Sequence, residues 1–311
     1  MNTTIQILTF IFDIVMPLII GYILAHKTKV QRTKMEGLLK LNIYFLYPLM
    51  ISLSTWIVKI NKELLWLPIV GLLTPLIGGT LGFILGKKKF ENSLDRGSYT
   101  ISYMLSNRGT IGGLVAFIIL GEVGYAYNQF SLIFNTITLY MIAYPIASYF
   151  SQSSKGKVIR LRIRDIIFTR NQIPALGILI GMSLNLLNIQ RPPVLGSFFE
   201  ILIHIVAWCA LLPIGMNINF KEMSKYKKLI PEISILKFIF MPLLMVSISS
   251  LIVSDEVILK TIVIHSSAPA AINSVIVSKI YNLNIHLTIL AFVATTAIYI
   301  VVVFPVLFLI L

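Results

Sequence analysis

Two apolar stretches of this sequence contain polar residues and helix breakers in their middles. The first is Ser106-Asn107-Arg108-Gly109-Thr110-Ile111-Gly112-Gly113, and the second is His265-Ser266-Ser267-Ala268-Pro269-Ala270-Ala271-Ile272-Asn273. In a membrane protein, unwound backbone is tolerated only where protein or a water-filled cavity satisfies its N–H and C=O groups. The pair of breaks therefore predicts a polar binding site near the middle of the bilayer. Its candidate residues are Asn107, Arg108, Gly109, Thr110, Gly112, His265, Ser266, Ser267, Pro269 and Asn273.

Arg108 favours an anionic ligand for this site. A cation within hydrocarbon costs about 3 kcal/mol unless a partner compensates it. A broken helix also exposes N–H groups and about half a positive charge at its new N-terminus, and the planar guanidinium matches a carboxylate. The alternative is that Arg108 extends to the cytoplasmic headgroups and only sets the topology. Neutral hydrogen bonds around an anion could come from Asn107, Thr110, Ser266, Ser267 and Asn273.

Three further ionisable residues lie within apolar stretches and have two interpretations each. Asp13 could carry a coupling proton or Na⁺, or could be a structural hydrogen-bonded carboxylate. Lys237 could be a second cation for the ligand or a buried partner of a backbone carbonyl. His265 could titrate near neutral pH or could be a donor in helix packing. Cys209 is the one cysteine, so no thiolate metal site is expected, and the sequence suggests neither a metal nor a cofactor.

The elements that position these residues are predicted to be membrane helices. Of the 311 residues, 57% are apolar and 12% are charged, whereas about a quarter of the residues of a soluble domain are charged. The mean hydropathy is +0.89. Ten stretches are long enough to cross a hydrocarbon core about 30 Å thick. These spans 1 to 10 cover residues 5–25, 37–58, 64–86, 97–120, 129–150, 172–187, 196–216, 229–253, 257–278 and 286–311.

Basic residues concentrate in the connections 27–34, 87–96, 155–170 and 221–228. The positive-inside bias predicts that these connections are cytoplasmic and that both termini lie outside the cell membrane. The net charge of +14 is therefore mainly a topology signal, with some attraction to anionic membrane lipids. Because the basic residues are dispersed over short loops without interleaved aromatics, nucleic acid is not an expected partner.

Prolines recur along the chain at an offset of about 160 residues, which indicates an internal repeat. The pattern predicts five-helix repeats at 1–150 and 172–311, joined by a basic cytoplasmic connector at 151–171. Because five is odd, the second repeat is inverted in the membrane. The predicted fold is an all-α polytopic membrane protein of ten helices, with broken helices 4 and 9 crossing. The matched positions are Pro17 and Pro174, Pro48 and Pro213, Pro75 and Pro242, Pro145 and Pro305, and Gly109 to Gly113 with Pro269.

Several short motifs, taken in their order, resemble the auxin efflux carrier family. They are Pro17-Leu18-Ile19-Ile20-Gly21-Tyr22, Tyr47-Pro48-Leu49, Asn107-x-Gly109-x-x-Gly112 with Gly121 and Gly124, and Ala268-Pro269-Ala270. The resemblance implies an inverted-repeat fold distantly similar to the bile acid/sodium symporters. It also implies a homodimer in which spans 1, 2, 6 and 7 form a scaffold and spans 3–5 and 8–10 form a transport domain. Leu114 stands where the family's first crossover usually has proline, so the first break depends on glycines.

The function expected from these features is secondary active transport of a small organic anion by alternating access at the crossing of spans 4 and 9. The resemblance implies a dicarboxylate such as malate or malonate. Three alternatives stay open: efflux of an auxin-like aromatic monocarboxylate, Na⁺-coupled symport of the bile acid type, and a membrane sensor that does not transport. Proton coupling or no coupling is favoured over Na⁺, because no carboxylate accompanies the neutral oxygens at the breaks. An enzyme is not expected, since the common hydrolase and phosphate-loop motifs are absent from the sequence.

Overall fold

A computed structural model describes residues 3–27, 37–38, 40–152, 173–216 and 223–311. Most of the predicted connector at 151–171 and of the basic loop at 27–34 lies outside these residues. The described chain is helical, with one isolated β-bridge between Ser106 and Ala270. The principal helices are α1 (Thr3–Lys27), α2 (Tyr47–Trp56), α3 (Trp66–Lys89), α4 (Ser93–Met104), α5 (Thr110–Ser131), α6 (Tyr144–Gln152), α7 (Ile173–Leu186), α8 (Pro193–Gly215), α9 (Ile230–Ile235), α10 (Met241–Ser249), α11 (Glu256–Ser266), α12 (Ile272–Ile280), α13 (Ile285–Ile298) and α14 (Phe304–Ile310).

The length and apolar character of these helices identify a multi-pass membrane protein. Among the described residues, five helical stretches are long and apolar enough to cross a bilayer, and shorter apolar helices occupy Ile11–Ala25 and Leu176–Leu186. The prediction of an all-helical polytopic membrane protein is confirmed, while the ten-helix inverted repeat stays a prediction. The five stretches are Lys62–Lys89, Thr110–Ser131, Pro193–Pro213, Ser224–Ser249 and Ile285–Ile310.

Four helices widen into a π-helical turn just ahead of a proline. Proline has no N–H, and its ring clashes with the carbonyl four residues earlier, which falls within the π turn in each case. The wider turn accommodates this carbonyl, so the helix continues instead of ending. The turns are Asn42–Leu46 before Pro48, Thr138–Ala143 before Pro145, Leu236–Phe240 before Pro242 and Tyr299–Val303 before Pro305.

The two predicted breaks are present and pair with each other. The amide of Asn107 donates to the carbonyl of Pro269 at 2.7 Å, and the amide of Ala271 donates to the carbonyl of Leu105 at 3.0 Å. The non-helical segments 105–109 and 267–271 therefore cross through a short antiparallel bridge at Ser106 and Ala270. Each break thus satisfies polar backbone groups of the other, which is what unwound chain inside a membrane requires.

Both breaks lie at slightly different positions from those expected. Pro269 predicts that residues 265–268 leave the helix, because its ring displaces the carbonyl four residues earlier, but α11 continues through Ser266 and the break covers 267–271. The first break was expected at 107–113, yet α5 begins at Thr110. The amide of Gly112 donates to the carbonyl of Asn107 at 3.1 Å, so this glycine belongs to the first turn of α5 and does not interrupt it.

Helix α5 reverses direction at Gly121. This residue has φ 70° and ψ −163°, a conformation that only glycine adopts readily. The side-chain amide of Asn128 donates to the carbonyl of Arg108 at 2.9 Å, although residues 20 apart would be about 30 Å apart in a straight helix. The part of α5 after Gly121 therefore folds back along the part before it. The expected end of span 4 at residue 120 agrees with this reversal, whereas the expected start of span 5 at residue 129 is too late, because the returning leg already includes residues 122–128.

Two helix pairs make backbone contact through glycines. A Cβ atom on Gly21 would lie 2.1 Å from the carbonyl oxygen of Leu212, which brings α1 against α8. A Cβ atom on Gly181 would lie 2.4 Å from the carbonyl oxygen of Ser52, which brings α7 against α2. Small residues at these positions allow the close helix approach that is common within membranes.

Candidate functional site

Arg108 is buried at the first break, with 1% of its surface exposed. Its Nη1 atom donates to the carbonyl of Gly71 at 2.9 Å and lies 3.2 Å from Nε2 of His265, and its Nη2 atom donates to Oδ1 of Asn135 at 3.3 Å. The alternative that Arg108 extends to the headgroups therefore disagrees with the structure. The guanidinium is held among neutral groups of α3, α11 and the chain after α5.

Lys237 is a second cation at the same break, and it is also buried. Its Nζ atom donates to Oγ of Ser106 at 2.8 Å and to the carbonyls of Tyr103 and Leu105 at 3.2 and 3.3 Å. These contacts correspond to the interpretation of Lys237 as a buried partner of backbone carbonyls, and its role as a second cation for the ligand stays a prediction. The carbonyls it holds belong to the end of α4, where the helix can no longer satisfy them.

These two cations have no acidic partner in the described part of the chain. The hydrogen bonds of Arg108 and Lys237 all go to neutral groups, and neither residue takes part in an ion pair there. Unpaired buried charge is costly, because desolvation is not offset by an opposite charge. The first break is therefore a positively charged region that an anion would stabilise.

Three buried N–H donors beside this break also have no hydrogen-bond partner among the described residues. They are Nδ2 of Asn107, Nε of Arg108 and Nε2 of Gln129. The other end of the Gln129 amide is occupied, because the hydroxyl of Tyr47 donates to its Oε1 atom at 3.1 Å. Each buried donor without an acceptor costs about 1–3 kcal/mol. The unfilled hydrogen bonds are all donors, which again fits an anion.

A small cleft adjoins the N-terminus of α5. The first N–H groups of a helix have no partner within it, and the amides of Thr110 and Ile111 have no backbone partner within the described residues. The partial positive charge at this end of α5 favours an anion. Gly109 allows the close approach of Tyr47, since a Cβ atom there would lie 3.1 Å from the hydroxyl oxygen of Tyr47. The cleft is lined by Tyr47, Met50, Gly109, Thr110, Leu114, Tyr125, Ile203, Val206 and Ala207.

The expected residues of the second break contribute less to this cleft. The hydroxyls of Ser266 and Ser267 donate back to carbonyls of their own helix, at 2.6 Å to Ile262 and 3.2 Å to Ile264. The carbonyl of Pro269 is used by Asn107. Asn273 lies half-buried in α12 and does not line the cleft. The structure thus places the first break at the cleft and gives the second break a supporting role.

His265 joins the two breaks as a neutral side chain. The amide of Asn128 donates through Nδ2 to the carbonyl of Arg108, so its Oδ1 end faces Nδ1 of His265 at 3.2 Å and requires a donor there. Nε2 of His265 is then the acceptor for Arg108 Nη1. A protonated ring would set a second N–H against the guanidinium. The arrangement therefore requires the neutral Nδ1–H tautomer.

Asp13 lies in a different part of the molecule. Its Oδ2 atom is 2.5 Å from Nδ1 of His204, and its Oδ1 atom accepts from Nε1 of Trp208 at 3.0 Å. These contacts cross-link α1 and α8, which corresponds to the structural interpretation of Asp13. His204 was not expected to have this role.

Sequence reasoning missed several residues that hold the site. For most of them only a polar side chain within apolar surroundings could have indicated the role, since their partners are far away in sequence, and Gly71 takes part through its carbonyl alone. Thr295 is an example, because its hydroxyl oxygen accepts from the amide of Ala270 at 2.9 Å and thereby caps the second break. No cluster of three histidine, cysteine or acidic side chains suitable for a metal ion occurs among the described residues. The other missed residues are Tyr47, Gly71, Asn128, Gln129 and Asn135.

A comparison with protein families identifies the chain. A family profile described as membrane transport protein matches residues 6–308, which is nearly the whole sequence. No curated protein matches the chain. The broken, crossing helices and the order of the proline and glycine motifs agree with this match, and the protein belongs to the auxin efflux carrier family of membrane transport proteins.

Proposed function

We propose that the protein is a secondary active transporter of a small organic anion, which binds where α5 begins. The observation that carries the proposal is the buried positive charge of Arg108 and Lys237, which has no acidic partner in the described chain. Arg108 and Lys237 are buried behind the cleft and do not line it, so we propose that the interface at Gly109 and Thr110 opens to admit the anion. The anion would then supply the missing opposite charge and accept from the unpaired donors. Two cations suit a dicarboxylate such as malate or malonate better than a monocarboxylate. Membership of a transporter family also accords with a role other than catalysis.

An inverted repeat would give this site two symmetry-related access routes. The bridge between the breaks supports such a repeat, because its hydrogen bonds are exchanged by a twofold axis that relates Leu105 to Pro269. Their offset, 269 − 105 = 164, is close to that of the proline pairs. The π turns before Pro145 and Pro305 are a second correspondence. Rocking or elevator-like movement of one half against the other would then expose the site alternately.

The cleft lies where the proposed scaffold meets the proposed transport domain. Tyr47 and Val206 come from α2 and α8, which we assign to the scaffold of a homodimer, while Gly109 and Thr110 come from the part that moves. The close pairs α1–α8 and α2–α7 make the scaffold compact. A ligand between two bodies that move relative to each other is what alternating access requires.

An ion pair between these two bodies closes one side of the interface. Arg191, in the connection before α8, forms a two-point contact with the carboxylate of Glu122, including Nη2 to Oε2 at 2.9 Å, and donates to the carbonyl of Leu53 at 2.9 Å. Glu122 directly follows the reversal at Gly121. By the distribution of basic loops, this contact lies on the outer side. We propose that it is the outer latch, which must separate when the site opens outward.

The energetics of transport link the direction of transport to the need for a coupling ion. Each negative charge moved inward against about 100 mV costs roughly 2.3 kcal/mol, so a dianion importer needs co-transported cations or exchange, and an exporter needs neither. The neutral His265 is a poor proton carrier, and Asp13 lies in the scaffold pair α1–α8. Uncoupled efflux or exchange therefore fits the described residues best, with Na⁺-coupled symport as the alternative.

Transport by purified protein in liposomes tests the proposal. Labelled malate, malonate and indole-3-acetate should be supplied separately, with pH and Na⁺ gradients imposed in turn. We expect saturable movement of a dicarboxylate. Movement of indole-3-acetate alone would make the aromatic monocarboxylate the substrate, and binding without movement of any anion would indicate the sensor.

A further inference from the structure

A second cavity lies away from the crossing, at the end of the helices that carries basic residues. It lies between the end of α3, the start of α4 and the end of α6. Its volume is about 130 Å³, which is large enough for several water molecules. Its lining combines two cations with three aromatic side chains. The lining residues are Phe83, Lys87, Arg96, Tyr149 and Phe150.

The floor of this cavity is held rigidly. Phe150 is buried, and its carbonyl accepts from the hydroxyl of Ser93 at 2.8 Å. Gly97 allows this contact, because a Cβ atom there would lie 2.8 Å from the Cβ of Phe150. Phe83 packs against the ring of Phe150 at a centroid distance of 5.6 Å. The side of the cavity that Phe150 forms is therefore part of the helix packing.

The two cations at the rim are available to a ligand. Nε of Arg96 donates to the carbonyl of Phe90 at 2.5 Å, which fixes the guanidinium. Within the described chain, its Nη atoms and Nζ of Lys87 form no hydrogen bond or ion pair, whereas the nearby Lys89 is paired with Glu232. A fixed guanidinium with two free nitrogens, beside a second cation, is the arrangement that binds a phosphate group.

The aromatic lining residues Phe83 and Tyr149 indicate the direction in which a ligand bound to the two cations would extend. Phe83 is 43% and Tyr149 is 59% exposed, and both belong to apolar helices at the level of the basic connection 87–96. Aromatic side chains at this level are typical of the membrane interface. A ligand with its phosphate at Arg96 and Lys87 would therefore extend an apolar part along Phe83 and Tyr149 into the bilayer.

We propose that this cavity binds an anionic phospholipid, with the lipid phosphate between Arg96 and Lys87 and an acyl chain along Phe83 and Tyr149. Basic pockets between membrane helices are known to accept such headgroups. The site is independent of the transported anion. A bound lipid would contact α3, α4 and α6, all of which belong to the part of the molecule that we expect to move, so it would travel with that part.

Native mass spectrometry of the detergent-purified protein tests the site, with phosphatidylglycerol as the probe and phosphatidylcholine as the neutral comparison. We expect Lys87→Gln to weaken phosphatidylglycerol binding about fivefold, in line with the loss of one cation near a membrane surface. Lys88→Gln is the matched control, because Lys88 is the next residue and does not line the cavity. Arg96→Gln should also weaken phosphatidylglycerol binding. Because this substitution also removes the hydrogen bond to the carbonyl of Phe90, it could act through the structure, and Lys87→Gln is the deciding variant.

Three results would overturn the proposal. Equal weakening by Lys87→Gln and Lys88→Gln would show diffuse attraction to the basic connection. Equal binding of phosphatidylcholine would show that the headgroup charge is not recognised. A thermal stabilisation by inorganic phosphate as large as that by phosphatidylglycerol, and lost in Lys87→Gln, would assign the cavity to a soluble phosphate.

Discussion

The amide nitrogen of Asn107 lies 2.7 Å from the carbonyl oxygen of Pro269, and this hydrogen bond joins the two broken helices. With the reciprocal bond from Ala271 to Leu105, it joins the two breaks through backbone groups, and the side chains of Thr295 and Lys237 satisfy neighbouring backbone groups. The side chain of Arg108 has an Nε atom without a partner and a charge without an acidic partner in the described chain. This charge and this donor are available for a ligand.

The reversal at Gly121 can be tested through its backbone conformation. We expect Gly121→Ala to lower the free energy of unfolding by about 1–3 kcal/mol, because φ 70° with ψ −163° is strained for any residue with a Cβ atom. Thermal unfolding in detergent measures this effect. Gly37→Ala is the control, since a Cβ atom there meets nothing within 4 Å. Equal stability of the two variants would mean that the chain does not reverse at Gly121.

The outer latch predicts that single substitutions will open the outer side. In a Cys209→Ser background, Thr110→Cys places a reporter in the cleft. Arg191→Gln should increase labelling of this cysteine by a membrane-impermeant maleimide added from outside, because Glu122 is no longer held against α2 and the start of α8. Lys62→Gln is the control, an exposed charge outside the latch.

A charge exchange distinguishes the latch from a general loss of structure. The double variant Glu122→Arg, Arg191→Glu should return labelling toward the level of the parent protein. Labelling that is unchanged in Arg191→Gln would argue against the latch. Labelling that stays high in the double variant would show that the ion pair itself is not the cause.

His265 is predicted to orient Arg108 and not to carry protons. A glutamine can accept from the guanidinium and donate to Asn128 as the neutral ring does, so His265→Gln should keep most of the transport activity and its pH dependence. Initial rates in liposomes between pH 5.5 and 8 measure this. A variant that still binds substrate but no longer responds to a pH gradient would make His265 the proton carrier.

Asp13 is predicted to stabilise the scaffold. Asp13→Asn removes the charged partner of His204, and we expect the free energy of unfolding to fall by about 1–3 kcal/mol with the transport rate per folded molecule unchanged. Thermal unfolding and liposome transport, normalised to folded protein, provide the two readings. A stable Asp13→Asn protein that no longer responds to an ion gradient would instead identify Asp13 as the coupling residue.

The sequence predicts the positions of the breaks better than their surroundings. Pro269 predicts the second break because proline has no backbone N–H, and this effect does not depend on residues elsewhere in the sequence. The sequence predicts a reversal between spans 4 and 5, within residues 121–128, but not its exact position at Gly121. Residues 122–128 are polar enough to resemble a loop, although they form the start of a returning leg. The partners of Arg108 could not be predicted either. Gly71 and His265 reach it only through helix packing, which hydrophobic periodicity does not specify.

The most direct test of the account is the affinity of the detergent-purified protein for malate, or for whichever anion the liposome assay identifies, measured by isothermal titration calorimetry. Arg108→Gln should weaken binding by about 10-fold to 100-fold, as expected for the loss of a charged hydrogen bond, and Arg108→Lys should also weaken it because a point charge lacks the planar fork. Lys88→Gln, remote from the cleft, should bind as the wild type does. An Arg108→Gln protein that is folded and binds the anion with wild-type affinity would contradict the proposed site.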